Sequence, residues 1–413
     1  MKFESIENQS PEAESEQRQE RERGFKLDFY VTDHSAKHRE TGSPEQLREL
    51  YADVKRDGIT SVRYDWDWWN CEPKQGEFNE EGLGRYQSAK EIMAEVGLDA
   101  PTIILSNPPK WAVELYKKDK EQFFDEFRKY AEEVKAYLVQ SGGEKIGRVQ
   151  ILNELNNTIY TPIHTEDLPQ LCEITREVFR DYNPEIKLMA TLIAANMTGF
   201  MGQGGVPIEK YLPEFEKIKD SFDDIAVDYY AGMWHLQAGD NPKLDMPEVV
   251  RRAMGDPKEL FKEMTAQIEW VKSIFERVAS WGKEYELGEV GSPTRWPWER
   301  AGDEPGKPQR YFYDAFFREF KKMLVDFRER GIPLPTRVGF YEAIDEPLIS
   351  PADYVKHHMT PTPEYALGMR ERSGKRKMIL RGSPHAEPEG PAVQRSQLSK
   401  IISYLRAPVE NKQ

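Results

Sequence analysis

The stretch Arg148-Val149-Gln150-Ile151-Leu152-Asn153-Glu154 has the pattern of a short apolar strand that ends in a polar pair. A second stretch, Tyr285-Glu286-Leu287-Gly288-Glu289, also leads from a strand-like run into a glutamate. When strands and helices alternate in a closed barrel, the carboxyl ends of all the strands meet at one mouth. The pattern therefore predicts that Glu154 and Glu289 share one site.

Strand-like runs alternate with amphipathic helices along most of the chain. The runs begin near Phe25, Ile59, Pro101, Arg148, Ile186, Ile225, Lys283 and Arg337. Between them, apolar residues recur every three or four positions, as expected for helices that bury one face. Clear examples are Phe123 to Tyr137, Leu260 to Phe275 and Phe312 to Phe327. Eight such units predict the α/β class and, within it, a (β/α)8 TIM barrel that forms a single domain.

An open doubly wound sheet is the alternative fold, because it gives a similar alternation of strands and helices. Such a sheet usually carries a glycine-rich phosphate loop after its first strand. The corresponding residues here are Thr32-Asp33-His34, which contain no glycine. The barrel is therefore favoured.

The chain ends differ in composition from the barrel, which we predict to span residues 24–380. Residues 1–23 are crowded with Glu, Gln, Arg and Ser, and predict a polar tail. Residues 381–413 predict a tether and then a short helix near Val393 to Leu405. No apolar run resembles a secretory signal or approaches the roughly 20 residues that span a bilayer. We therefore expect a cytoplasmic protein.

Composition also bears on partners and cofactors. The formal net charge of −14 over 413 residues would repel phosphate backbones and anionic lipid, so neither nucleic acid nor a membrane is expected as a partner. Cys71 and Cys172 lack the paired spacing of zinc sites and disulfide frameworks. Metal-dependent hydrolytic barrels commonly require a His-x-His pattern at the start of the first strand. The first strand-like run of this chain does not begin with that pattern. We expect no metal and no other cofactor.

Two carboxyl groups at one mouth are suited to breaking a glycosidic bond. One carboxyl group donates a proton to the leaving oxygen, and the other meets the positive charge that develops at the sugar carbon. An ionised Glu289 would favour the protonated form of Glu154, which could then act first as an acid and later as a base. The predicted partner is thus a carbohydrate substrate.

Four separated segments resemble the clan of retaining glycoside hydrolases built on (β/α)8 barrels, and the resemblance covers most of residues 25–380. Asn153-Glu154 resembles the Asn-Glu pair of that clan, and Glu289-Val290-Gly291 resembles its nucleophile strand. Trp68, Glu72-Pro73 and Gly76-Glu77-Phe78 resemble the segment after the second strand, which Ser61-Val62-Arg63 precedes.

The resemblance implies a role for each matched residue. Glu154 would be the acid/base and Glu289 the nucleophile. Asn153 would contact the sugar 2-hydroxyl, while Arg63 and Tyr230 would support the nucleophile. Arg63 as a structural arginine, and Tyr230 as a wall residue bonded to a backbone carbonyl, remain alternatives. Asn153 and Glu154 could instead cap the start of a helix.

The chain also departs from the clan pattern. Asp228 stands where many members carry histidine, and Leu155 stands where proline often follows the Asn-Glu pair. The eighth run ends without the tryptophan that many members use as a sugar floor, so Tyr341 is a candidate replacement. These differences concern the subfamily and the substrate more than the chemistry.

Several tryptophans are candidate sugar contacts, because flat indole faces stack against the apolar faces of sugar rings. Packing in the core is the alternative for each of them. Two long intervals, Ala231 to Asp256 and Gly291 to Gln309, are predicted to wall a cleft. The candidates are Trp68, Trp111, Trp234, Trp296 and Trp298.

The sequence thus predicts a retaining glycoside hydrolase that cleaves β-glycosidic bonds of an oligo- or polysaccharide through a covalent glycosyl-enzyme. Two other functions stay open. A non-catalytic carbohydrate-binding barrel would keep the cleft without the reaction, and a transglycosylase would pass the covalent sugar to another sugar.

Overall fold

The computed structural model describes residues 24–37, 43–158, 160–195, 205–230, 257–291, 307–341 and 397–408. Within these ranges, eight parallel strands form one closed barrel in the order β1 to β8. The strands are β1 (Asp28–Asp33), β2 (Ser61–Asp65), β3 (Thr102–Leu105), β4 (Arg148–Ile151), β5 (Lys187–Ile193), β6 (Asp224–Tyr230), β7 (Glu284–Gly291) and β8 (Arg337–Phe340). All eight predicted runs are confirmed as strands.

Closure of the barrel is direct, because the first strand pairs with the last. Phe29 on β1 lies opposite Val338 on β8, and Val31 lies opposite Phe340. On its other edge, β1 pairs with β2 and sets Thr32 beside Arg63. A closed parallel sheet of eight strands confirms the TIM barrel and excludes the open doubly wound sheet.

Helices pack around the outside of the barrel. They are α1 (Pro44–Arg56), α2 (Trp68–Cys71), α3 (Glu80–Glu95), α4 (Lys110–Lys118), α5 (Lys120–Gln140), α6 (Leu168–Phe179), α7 (Ile208–Phe215), α8 (Pro257–Ala279), α9 (Lys307–Glu329) and α10 (Gln397–Arg406). The three predicted amphipathic stretches lie within α5, α8 and α9. None of the helices in the described ranges is both long enough and apolar enough to cross a bilayer.

Local signals in the sequence explain where helices begin and end. Ser43 caps α1 in a reciprocal arrangement with Gln46, and Pro44 occupies the first helical position. Both features satisfy or remove the free backbone N–H groups of a helix start. Gly331 follows the end of α9 with φ of +69°, a conformation that suits glycine.

The C-terminal helix α10 packs against the barrel. Leu398, Ile401 and Leu405 are buried, and the Lys321 ammonium of α9 donates to the backbone carbonyls of Tyr404 and Ala407 at 2.7 and 3.0 Å. This helix overlaps the segment Val393 to Leu405, for which the sequence predicts a short helix. The predicted tether that precedes it lies outside the described residues.

Candidate active site

The first candidate glutamate lies where the chain leaves β4 in an unusual conformation. Leu152 and Glu154 both have positive φ, at +57° and +47°. Neighbouring strands hold this bend, since the Leu152 amide donates to the Leu105 carbonyl at 2.9 Å and the Glu154 amide donates to the Thr191 hydroxyl at 2.8 Å. Non-glycine residues in this region of φ are costly and concentrate at functional sites.

No helix begins at Asn153 and Glu154 in the described structure. Turns and bends follow β4 from residue 152 to residue 158, and the next α-helix is α6 at Leu168. Helix capping therefore does not explain this pair, and the bend instead turns the Glu154 side chain into the barrel mouth.

The second candidate glutamate lies at a bulge in β7. Val227 pairs with Leu287, but the next residue of β6, Asp228, pairs with Glu289, so Gly288 has no partner on β6. The same two positions, Gly288 and Glu289, interrupt the pairing of β7 with β8. Bulges of this kind re-aim side chains near active sites.

The bend and the bulge bring the two glutamates together. One carboxylate oxygen of Glu154 and one of Glu289 lie within 4.8 Å of each other, although 135 positions separate the residues in sequence. Glu154 is 4% exposed and Glu289 is 3% exposed. The predicted convergence at the mouth is confirmed.

Hydrogen-bond donors surround the Glu289 carboxylate. Arg63 donates to Oε1 at 2.6 Å, and Thr32 donates to the same oxygen at 3.3 Å. The Tyr230 hydroxyl donates to Oε2. Burial and the nearby Glu289 carboxylate raise the pKa of Tyr230 well above its ordinary value, so the phenol keeps its proton and remains a donor. Three donors from three strands thus hold this carboxylate, and one of them is a cation.

Arg63 lies beneath the pair and is completely buried. Burial alone would lower the pKa of its guanidinium, but the Glu289 and Asp228 carboxylates raise that pKa above its ordinary value. Arg63 therefore stays charged. Its guanidinium also donates to Gln150 at 2.6 Å and to the Asn153 amide oxygen at 3.1 Å, which fixes the plane of the group.

Glu154 has a different environment. Its Oε2 accepts a hydrogen bond from the side-chain amide of Asn157 at 2.9 Å, and the Glu154 carbonyl accepts from the Asn157 backbone amide at 2.6 Å. A neutral amide stabilises a carboxylate less than a guanidinium does. The two glutamates thus differ in electrostatic surroundings while sharing one site.

Asn153 is held by its amide oxygen. That oxygen accepts from Arg63 at 3.1 Å and from Gln150 at 3.0 Å. Gln150 in turn donates to the Thr191 hydroxyl at 3.0 Å, so a polar network connects β2, β4 and β5. With its oxygen occupied in this way, the Asn153 side chain has its amide nitrogen left to donate to a ligand.

A third carboxyl group, that of Asp228, completes the cluster. One of its oxygens lies within 4.8 Å of an oxygen of Glu154 and of Glu289. Three converging carboxylates can hold a cation, and this is the one such group of three or more His, Cys, Asp or Glu residues in the described ranges. A cation here would have to share Glu289 with Arg63, which already supplies a positive charge at 2.6 Å.

The aromatic candidates have different positions. Trp68 is 1% exposed and stacks on Tyr130 with ring centroids 5.0 Å apart, so its packing in the core does not support the predicted sugar contact. Trp111 is partly exposed and lines a surface cleft of about 360 Å³ with residues of the loop after α2 and of α4. Tyr341 is partly exposed and contacts the Tyr230 ring edge to face at 5.5 Å. Trp234, Trp296 and Trp298 lie outside the described residues.

Some polar residues of the site were not predicted. Thr32, Gln150, Thr191 and Asn157 contact the glutamates or Arg63 as described above. A polar residue between apolar neighbours in a buried strand could have indicated Gln150 and Thr191. A second polar group lies at the ends of β1 and β2, where His34 contacts Asp65 at 3.0 Å and Lys37 contacts Asp67 at 3.1 Å.

The fold is similar to the folds of solved glycoside hydrolases. Exo-β-1,4-mannosidase Op5Man5 from Opitutaceae bacterium strain TAV5 is 14% identical with a TM-score of 0.55, and the match covers 93% of this chain and 60% of that chain. The chain thus spans about 60% of the length of that enzyme. β-Glycosidase BGL167 is 15% identical with a TM-score of 0.58, over 94% of this chain and 98% of that chain.

A third similar structure is GH5_18 from Streptomyces cattleya in complex with GlcNAc. It is 12% identical with a TM-score of 0.60, over 94% of this chain and 83% of that chain. No protein-family model matches the chain, and no curated protein matches it in sequence. At these identities the similarity concerns the fold, and it agrees with the predicted resemblance to glycoside hydrolases of the (β/α)8 barrel type.

Proposed function

We propose that the protein is a retaining glycoside hydrolase that cleaves β-glycosidic bonds of an oligo- or polysaccharide. The observation that carries this proposal is the approach of Glu154 and Glu289, whose nearest carboxylate oxygens lie within 4.8 Å. Retaining enzymes hold their two carboxyl groups about 5 to 5.5 Å apart, whereas inverting enzymes need about 6.5 to 9.5 Å to admit a water molecule. An approach of single oxygens to within 4.8 Å agrees with the closer, retaining arrangement.

The surroundings of the two glutamates support a division of roles. Glu289 accepts from a buried guanidinium, a phenol and a hydroxyl, which suits a carboxylate that attacks as an anion. Glu154 accepts from an amide and has an anionic neighbour, which suits a carboxyl group that holds a proton. Glu289 is therefore the nucleophile and Glu154 the acid/base.

The reaction then takes two displacements. In the first, Glu154 gives its proton to the glycosidic oxygen while Glu289 attacks the anomeric carbon, so the bond to the leaving group breaks and an ester forms. In the second, the Glu154 carboxylate takes a proton from a water molecule whose oxygen displaces Glu289 from the anomeric carbon. Two inversions give net retention.

Neighbouring residues assist these steps. The Asn153 amide nitrogen donates to the sugar 2-hydroxyl, because its oxygen is held by Arg63 and Gln150. Tyr341 forms part of the sugar floor beside Tyr230. Trp111 contacts a more distant sugar unit at its cleft, and contacts from Trp234 and Trp296 remain predictions from the sequence.

A panel of aryl glycosides is the first assay. It includes 4-nitrophenyl β-glycosides of common hexoses and pentoses together with plant and algal polysaccharides. The names of similar structures argue for including β-mannosides and Manβ1-4GlcNAc. One is an exo-β-1,4-mannosidase, and a further GH5_18 structure from Streptomyces cattleya, 14% identical with a TM-score of 0.58, was solved in complex with that disaccharide. The aryl glycoside that is cleaved fastest is then the substrate in every later test.

Azide rescue tests the assigned roles. Glu289→Ala is expected to lose turnover, and added azide should restore it with a glycosyl azide of inverted configuration. Glu154→Ala is expected to give the azide product with retained configuration when the leaving group is activated. Glu284→Ala is the matched control, because Glu284 lies at the opposite end of the same strand and is half-exposed.

Other outcomes would point to the alternative functions. Binding of the oligosaccharide without turnover by the wild-type protein would favour a carbohydrate-binding barrel. Formation of longer oligosaccharides with an added acceptor sugar, at the expense of hydrolysis, would favour a transglycosylase. Rescue of neither glutamate variant would count against the proposed mechanism.

A further inference from the structure

Asp228 is a carboxyl group at the centre of the site that the two-glutamate mechanism does not use. It lies on β6 and is completely buried. Among the residues that the structure describes, neither of its oxygens has a hydrogen-bond partner. An isolated carboxylate without donors is very costly to bury, and such a group normally takes up a proton instead.

Among the described residues, the cation that acts on Asp228 is Arg63, and it is already engaged with other groups. The nearest approach of Arg63 to Asp228 is 4.0 Å, beyond hydrogen-bond distance. Its three nitrogens donate instead to Glu289, Gln150 and Asn153 at 2.6, 2.6 and 3.1 Å. If all three acids were ionised, this single guanidinium would face three negative charges.

Within the ranges that the structure describes, the other titratable groups that act on Asp228 add no positive charge. Two carboxyl groups on β7 and one after β4 add negative charge, and the phenol on β1 is neutral because burial raises its pKa well above the ordinary value. The described titratable groups that act on Asp228 from the other strands and the loop after β4 are Tyr30, Arg63, Glu154, Glu286 and Glu289.

The backbone is shaped around this carboxyl group. A Cβ atom on Gly288 would overlap the Asp228 carboxyl group and would lie 2.7 Å from the Ala226 Cβ. Gly288 is the bulged residue that has no partner on β6. The glycine at the bulge therefore both re-aims Glu289 and leaves the space that Asp228 occupies.

From this geometry, and resting on the retaining mechanism proposed above, we propose that Asp228 is a neutral carboxylic acid in the working enzyme. It acts as a positioning residue that leaves Glu289 as the ionised member of the three acids. In this state Glu289 is the one anion that the positive charge of Arg63 stabilises. An ionised Asp228 would divide that charge between two anions and would make Glu154 hold its proton more strongly.

The electrostatic surroundings support this state. Burial, followed by the Glu289 carboxylate, raises the pKa of Asp228 well above its ordinary value, and Arg63 opposes the shift only in part. The proton stays on Asp228 through both displacements. During the first displacement the negative charge passes from Glu289, which becomes an ester, to Glu154, which has lost its proton.

Stability as a function of pH provides a test that needs no substrate. The pKa of Asp228 is higher in the folded protein than in the unfolded chain. The stability that Asp228 contributes is therefore fully present below its unfolded pKa of about 3.9 and is lost as pH rises. Asp228→Asn removes the ionisable group and, with it, this loss of stability. The variant should melt several degrees above the wild type near pH 8, and its advantage should shrink as pH falls towards about 5.

Asp65→Asn is the matched control, because Asp65 is another buried aspartate of the barrel mouth that differs in having cationic partners. Although burial opposes ionisation, His34 and Lys37 lower the pKa of Asp65 below its ordinary value. Its stabilisation is present above the unfolded pKa and lost as pH falls, so Asp65→Asn should lower the melting temperature most near neutral pH. The same behaviour in Asp228→Asn would overturn the proposal.

Kinetics on the fastest aryl glycoside of the panel separate positioning from packing. Asp228→Ala should lower kcat/KM by about tenfold or more, and Asp228→Asn should recover most of the loss because it keeps the shape without the charge. Equal damage from both variants in folded protein would overturn the proposal, because a neutral side chain of the same shape would then fail to replace Asp228. Binding of a divalent cation by the wild type and not by Asp228→Asn would also overturn the proposal, because a metal-bound Asp228 is an anion.

If Asp228→Asn fails to fold, infrared spectroscopy of wild-type protein labelled with ¹³C-aspartate decides the matter. Burial and the nearby Glu286 raise the pKa of Asp224, the other deeply buried aspartate on β6, to about 7. The spectrum is therefore read above that pH. The carbonyl stretch of a protonated aspartate is the expected result, and its absence would overturn the proposal. Failure of azide rescue alone would leave these readings intact and would instead count against the proposed function.

Discussion

Replacing Tyr230 by phenylalanine should lower kcat/KM for an aryl glycoside. The Tyr230 hydroxyl donates to Glu289 Oε2, and its raised pKa keeps it a donor across the working range. The substitution removes that one donor and keeps the ring that packs against Tyr341 at 5.5 Å. The expected effect is slower attack by Glu289, because its carboxylate loses one of the three donors that hold it in place.

The size of the effect follows from the remaining contacts. A hydrogen bond to a charged group contributes about 1.5 to 3 kcal/mol, and about 1.36 kcal/mol corresponds to a tenfold change in rate. The expected loss in kcat/KM is therefore about 10- to 150-fold. Arg63 at 2.6 Å and Thr32 at 3.3 Å still hold the other oxygen, so we expect the lower end of that range.

The assay is kcat/KM measured with an aryl glycoside, since this ratio reports the loss of transition-state stabilisation. Tyr229→Phe is the matched control. Tyr229 is the preceding residue on β6, and its hydroxyl donates to Gln267 on α8 instead of pointing into the mouth. It should lose stability without a comparable loss of activity in the folded protein. An unchanged kcat/KM in Tyr230→Phe, or an equal loss in both variants, would refute the assignment of Tyr230.

Three further changes test other parts of the site. Thr32→Val removes the weaker 3.3 Å donor and should lower kcat/KM by only about three- to tenfold, measured beside Tyr230→Phe; a larger loss would contradict the ranking of the two donors. Gly288→Ala places a methyl group against Asp228 and should destabilise the protein by about 1 to 3 kcal/mol in urea titrations, with loss of activity; wild-type stability would show that the bulge tolerates a side chain. Glu154→Gln should slow hydrolysis of glycosides with poor leaving groups by about 10²- to 10⁴-fold and spare dinitrophenyl glycosides, compared by their kcat/KM values; equal losses for both would argue against its role as the acid.

The barrel could be predicted from the sequence because its signals are local and repeated. Each strand is a short apolar run that ends in polar residues, and each helix has an apolar face of regular spacing. The closed topology adds a long-range consequence, since it places every strand end at one mouth. That is why the convergence of Glu154 and Glu289 followed from two short segments.

Other parts of the site depend on three-dimensional packing that the sequence does not display. Trp68 looked like a sugar contact, but the short helix α2 turns its ring onto Tyr130 of α5. The sequence shows that Asp228 replaces the histidine of the clan pattern. It does not show that Arg63 donates its hydrogen bonds to other groups and leaves Asp228 without a donor among the described residues. The positive φ of Glu154 and the bulge at Gly288 likewise have no reliable signature in one sequence.

Covalent trapping tests the central claim most directly. A 2-fluoro glycoside of the configuration that the enzyme cleaves should inactivate it and remain attached as an ester. Trypsin would release residues 284–295 as one peptide, which contains Glu284, Glu286 and Glu289, so fragmentation in a mass spectrometer can assign the ester to one of the three. The account predicts one sugar per chain on Glu289. A label on another residue, or hydrolysis of the parent glycoside with inverted configuration and no label, would contradict it.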